Sequence, residues 1–125
     1  MKPTRLIAVA AVAVLLAVPV VAATLALPAS GAAAPRLVAS VGPGFTITLT
    51  RGGRKVTRLA PGRYTISVRD RSSDHNFHLV GPGLNKTTSV DAAVTRTWTV
   101  TFRRGTYRYV CDPHAGDMRG SFRVA

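Results

Sequence analysis

From Pro35 onward the chain is written in short runs where apolar and polar residues alternate strictly, and that alternation limits the fold more than any other feature. Phe45-Thr46-Ile47-Thr48-Leu49-Thr50 alternates, as do Tyr64-Thr65-Ile66-Ser67-Val68-Arg69 and Arg96-Thr97-Trp98-Thr99-Val100-Thr101-Phe102. Val56 to Leu59, Thr106 to Cys111 and Ser121 to Val124 are shorter candidates. Successive side chains of a strand point to opposite faces, so a period of two marks a strand with one face buried. Thr, β-branched and aromatic residues favour that state. Arg51-Gly52-Gly53, Pro61-Gly62, Gly81-Pro82-Gly83 and Arg104-Gly105 punctuate the runs as turns. No apolar stripe of helical period follows Pro35. About six to eight short strands with frequent turns predict an all-β sandwich. Its expected core is Phe45, Ile47, Leu49, Ile66, Val68, Phe77, Leu79, Trp98, Val100, Phe102, Tyr107, Tyr109 and Phe122.

The preceding segment is of another kind. Lys2 and Arg5 lead into an uncharged apolar run over residues 6–27, followed by Ala29-Ser30-Gly31-Ala32-Ala33-Ala34. A basic start, an apolar middle and a small-residue end are the order of an export leader. The run is also long enough to cross a bilayer. Residues 1–34 are therefore expected to be a signal peptide or an N-terminal membrane anchor. Residues 35–125 are expected to be one domain, outside the cytoplasm, secreted or held at the outer face of the cytoplasmic membrane. The leader holds no cysteine to carry a lipid and no twin-Arg pair.

Removing Lys2 and Arg5 from the 17 Lys and Arg leaves 15 against 5 Asp, a formal charge of +10 for residues 35–125. Such a surface is soluble and attracts acidic proteins or anionic membranes. Nucleic acid is not expected as a partner, because the basic residues form no helical cluster and no basic-aromatic motif. Cys111 is the only cysteine. It has no internal disulfide partner, and an isolated thiol in an exported chain points to an intermolecular bridge or a chemical task.

The surroundings of Cys111 indicate the task. In Cys111-Asp112-Pro113-His114-Ala115-Gly116-Asp117-Met118 a thiolate, an imidazole and a thioether fall within one short loop. With a second imidazole they make the donor set of a blue-copper site, two His and one Cys in a plane with a weak axial Met. The second imidazole comes from Asp74-His75-Asn76-Phe77-His78-Leu79. Residues three apart in a strand point to opposite faces, so His75 and His78 are alternatives. Strand geometry leaves the choice open, and the imidazole not used is expected on the other face, bonded, in the case of His78, to a nearby backbone group. The metal-ligand candidates are His75 or His78, Cys111, His114 and Met118. Cys111 could instead be an inert buried thiol, and Met118 an ordinary core residue.

Taken together these segments resemble the plastocyanin-like cupredoxins. The His75-Asn76 pair is similar to the pair that supplies that family's first ligand. Gly105 to His114 resembles its last long strand and ligand loop, and Gly120 to Val124 its closing strand. The resemblance implies a Greek-key β-sandwich, one type 1 copper held by His75, Cys111, His114 and Met118, and Asn76 tying its strand to the Cys loop. Val110 stands where plant plastocyanins carry an aromatic residue, the charge is basic rather than acidic, and the His114–Met118 spacing is one residue shorter. The photosynthetic partner surface is therefore not implied.

The expected function is electron transfer by a mononuclear blue-copper protein cycling Cu(I) and Cu(II), as a monomer, with a redox protein partner of acidic surface. No acid–base pair or substrate pocket is legible, so an enzyme is not expected. Copper binding or delivery without a redox role is the alternative. A structural sandwich with an incidental site, holding zinc through Cys111, His75 and His114, is a third.

Overall fold

Most of the alternating runs become strands. The computed structural model describes Met1, Pro3, Thr4 and residues 31–125. The apolar run of residues 6–27 lies outside the described residues, and so does the expected leader or anchor built on it. Among the described residues no helix is long and apolar enough to cross a membrane.

Ala32–Ala125 forms one compact unit. Its strands are β1 (Arg36–Val41), β2 (Ile47–Arg51), β3 (Arg54–Lys55), β4 (Arg58–Leu59) and β5 (Gly62–Asp70). They continue with β6 (His78–Gly81), β7 (Leu84–Thr87), β8 (Thr95–Phe102), β9 (Gly105–Val110) and β10 (Arg119–Val124). One sheet has the order β3-β2-β1-β5-β8 and the other β4-β10-β9-β6-β7. The chain passes from sheet to sheet repeatedly, and the pairings β1·β5 and β4·β10 are parallel while the rest are antiparallel. The expected all-β Greek-key sandwich is the fold observed.

The core lies between the sheets. Leu37, Ala39 and Val41 of β1, Ile66 and Val68 of β5, and Tyr107 and Tyr109 of β9 all point into it. Aromatic rings fill its middle: Tyr107 stacks on Phe122 with centroids 5.4 Å apart, and Phe77 on Tyr109 at 5.7 Å. Two strand glycines make room for these rings. A Cβ on Gly120 would enter the ring of Tyr109, its cross-strand partner, and one on Gly81 would enter the ring of Tyr107.

Three core expectations are corrected. Phe45 is 68% exposed, because β2 begins only at Ile47 and the Gly42–Gly44 bend carries the preceding residues off the sheet. Ile47 and Trp98 pack only partly against the core. β1, which the alternation did not single out, supplies Leu37, Ala39 and Val41 in compensation.

Candidate metal centre

Two loops at one end of the sandwich carry the donors. The chain between β5 and β6 presents His75, and the chain between β9 and β10 presents Cys111 and His114. Cys111 follows Val110 at the end of β9 and shares the inward side with Tyr107 and Tyr109, so it is fully buried. A 3₁₀ turn over Asp112–His114, started with Pro113, then swings His114 back over Cys111. His114 N donates to the Cys111 carbonyl at 3.0 Å, and Met118 N to the His114 carbonyl at 2.9 Å. Cys111 N donates to the Met118 carbonyl at 2.9 Å, which closes the loop on itself. Met118 is fully buried.

The donor atoms converge. The two Nδ1 atoms of His75 and His114 lie 3.1 Å apart, and Cys111 Sγ lies 3.6 Å from each. A point about 2.0 Å from all three atoms, the circumradius of this 3.1, 3.6 and 3.6 Å triangle, lies at its centre. Bonds from a transition metal to imidazole nitrogen run near that length, and to thiolate near 2.3 Å. The triangle thus fits one metal ion with little adjustment. His75 and Cys111 are buried and His114 half-buried. Gly42 lets the β1–β2 turn approach this group. With φ +64°, it leaves space where a Cβ would meet Ser72 at 3.0 Å and the His75 ring at 3.4 Å. The exposed Phe45 ring stands edge-on to His114 and His75, at 4.9 and 5.6 Å between centroids.

Asn76 and His78 do not join the donors but brace them. Asp112 N donates to Asn76 Oδ1 at 2.7 Å, and Asn76 Nδ2 donates to Asp112 Oδ2 at 2.7 Å and to Thr87 Oγ1 at 2.9 Å. The His78 ring lies between two acceptors, with Nδ1 2.9 Å from Asp112 Oδ1 and Nε2 2.8 Å from Asn85 Oδ1. Burial opposes the charged form of His78. The hydrogen bonds to Asp112 and Asn85 and the charge of Asp112 outweigh it, so its pKa lies above the ordinary 6.5. Asp112 responds in the opposite sense. Burial alone would raise its pKa, but hydrogen bonds from His78 and Asn76 and the charge of His78 hold it below 3.8.

Four ligand candidates were read from the sequence, and the structure brings three of their donor atoms, from His75, Cys111 and His114, within 4.8 Å of one another. His75 occupies the loop before β6 rather than a strand, so the strand-parity argument does not apply to it; the two are separated because His78 alone stands on β6 while His75 sits with Cys111 and His114. The expectation of a backbone partner for His78 is corrected: its partners are the side chains of Asp112 and Asn85. Asp112 and Asn85 had no signal in the sequence, because their contacts span 34 and 7 residues.

The sequence matches no protein-family model and no curated protein. Solved structures do match the fold. The copper protein rusticyanin superposes with a TM-score of 0.54 at 18% identity, covering 72% of this chain and 76% of that one. Reduced rusticyanin gives 0.52 at 21% identity, over 72% and 78%. The fold is cupredoxin-like. A chain from a haem-copper terminal oxidase dimer also shares it, with a TM-score of 0.50 at 18% identity over 72% and 63%. The cupredoxin resemblance read from His75-Asn76 and the Cys111 loop therefore holds at the level of fold, and the cluster of three donors lies in those same segments.

Proposed function

We propose that the protein is a mononuclear blue-copper electron carrier that works outside the cytoplasm. The observation that carries this reading is the triangle of two imidazole nitrogens and one thiolate sulfur around a point about 2.0 Å from each. Two imidazoles and one thiolate, with a buried Met118 in the same loop, favour copper over zinc, whose structural sites do not take Met. Bound there, copper supplies a one-electron couple between Cu(II) and Cu(I).

The protein's own part is to hold the donors still. His75, Cys111 and His114 are fixed by the sandwich end, by the closed backbone loop and by the Asn76–Asp112–His78 brace. Donors that do not move between oxidation states keep the cost of reorganisation low. Pro113 has no N–H to donate beside Cys111, and hydrogen bonding near the thiolate is one of the levers on the potential. Met118 is the proposed axial donor. Phe45, Val90 and Pro113 line a depression over His75 and His114, so the half-buried His114 is the proposed point where electrons enter and leave. The leader read from residues 1–34 supports an extracytoplasmic location, and no catalytic role is proposed.

Addition of Cu(II) to the metal-free full chain tests this reading. An intense blue thiolate band that disappears in Cys111→Ser is the expected result. Tight Cu(I) binding without colour would favour copper delivery, and preference for zinc with no copper effect would overturn the proposal.

A further inference from the structure

The sheet that carries the ligand loop presents an outer face with no acid in its strands. β4, β9 and β10 read Arg-Leu, Gly-Thr-Tyr-Arg-Tyr-Val and Arg-Gly-Ser-Phe-Arg-Val, and β6 and β7 hold no Asp or Glu either. Phe122 and Val124 are buried, so Arg119, Ser121 and Arg123 face outward. Arg108 stands opposite Ser121, and Arg58 beside Arg123. Toward the ligand loop this face sinks into an open cleft of about 800 Å³ lined by Lys55, His78, Arg108, Arg119, Val110 and Asp112, among others. The last two flank Cys111 in sequence.

The charges in the cleft are unbalanced. Asp112 is the only acid in the lining, and it is taken up by His78 at 2.9 Å. That is the only ion pair among the described residues, so Lys55, Arg108 and Arg119 have no carboxylate within reach. A concave surface of one sign concentrates its field and draws in the opposite charge. The outer face of the other sheet is also basic, but Thr65 and Ser67 separate Arg63 from Arg69 along β5, and neither residue borders this cleft.

We propose that this cleft docks the acidic face of a protein redox partner, with partner carboxylates seated against Arg108, Arg119 and Lys55. The proposal rests on the electron-transfer reading of the adjoining metal centre. A protein fits better than a small anion, because the basic strip continues from Arg119 to Arg123 and Arg58. Four residues of strand span about 13 Å, room for a row of carboxylates rather than one oxyanion. Docking here would bring the partner to Val110 and Asp112, the chain neighbours of the thiolate.

The test uses a poly-glutamate peptide as probe and the copper-treated full chain. Arg108→Glu/Arg119→Glu is compared with Arg63→Glu/Arg69→Glu, which changes the net charge equally. The cleft pair should weaken binding by about tenfold or more and flatten its salt dependence, while the control stays within about twofold. Equal weakening by both pairs, or by neither, would overturn the cleft as a docking surface. If anionic phosphatidylserine vesicles respond to the cleft pair and the peptide does not, a membrane replaces the protein partner and the proposal falls. The blue band is recorded on the same samples. Its absence from wild type counts against the metal reading, whereas unchanged peptide affinity in the cleft pair counts against the cleft alone.

Discussion

The His78–Asp112 pair should make the stability of the sandwich depend on pH in a window that its two pKa shifts define. His78 has a folded pKa raised above 6.5, so its contribution is fully present below 6.5 and is lost as pH rises through the folded value. Asp112 has a folded pKa below 3.8, so its contribution is present above 3.8 and is lost as pH falls through the folded value. The coupling is therefore greatest between about pH 4 and 6.5. Its size is limited by solvent, since the His78 side chain is 22% exposed and that of Asp112 50%. Pairs of this exposure contribute roughly 0.5–1 kcal/mol. For a domain of this size that is a shift of roughly 2–8 °C in Tm. The assay is a double-mutant cycle of wild type, His78→Ala, Asp112→Asn and the double variant, followed by thermal melts of the metal-free chain. The cycle cancels contributions common to all four proteins. Asn at position 112 still offers an oxygen to Asn76, so the substitution removes mainly the charge. The coupling should be present at pH 5.5 and close to zero at pH 9. A coupling that is constant over this range, or that grows with pH, would refute the reasoning.

The ligand assignment makes a second contrast: His75→Ala should lose the blue band, while His78→Ala should retain it. The reverse outcome in visible spectra would make His78 the first ligand. Met118→Leu should keep the band and raise the reduction potential, because an apolar side chain disfavours Cu(II), and Met118→Gln should lower it, because an amide oxygen suits Cu(II). Voltammetry that gives the wild-type potential for both would leave Met118 as a packing residue. Gly120→Ala should lower stability by about 1–3 kcal/mol, since the new methyl enters the Tyr109 ring. A melt within about 1 °C of wild type would show that the ring yields freely.

How far each feature could be read from the chain follows from the range over which its cause acts. Alternation is a local property, so β5, β8 and β9 were legible, and so was the inward side of Cys111, two residues beyond Tyr109. The same rule misplaced Phe45, which keeps the parity of Ile47 and Leu49 but precedes the strand, so its ring rests on the two imidazoles instead. β1 was hidden because Arg36-Leu37-Val38-Ala39-Ser40-Val41 mixes apolar residues on both faces, and its parallel pairing with β5 has no local signature. The cluster of His75, Cys111 and His114 was legible by chemical type, since thiol and imidazole at short spacing are the side chains that hold transition metals. Its brace was not. Asp112 looks like an ordinary loop acid, and only the sandwich brings it to His78, 34 residues away, and to Asn76. The strand rule made the two histidines alternatives and could not show what the second one does. A strand side chain pointing away from the donors can still act on them when the fold lays the backbone neighbour of a ligand against it. The residue after Cys111 is held by two residues from the His75 segment, so the two halves of the donor set are joined by side chains before any metal joins them.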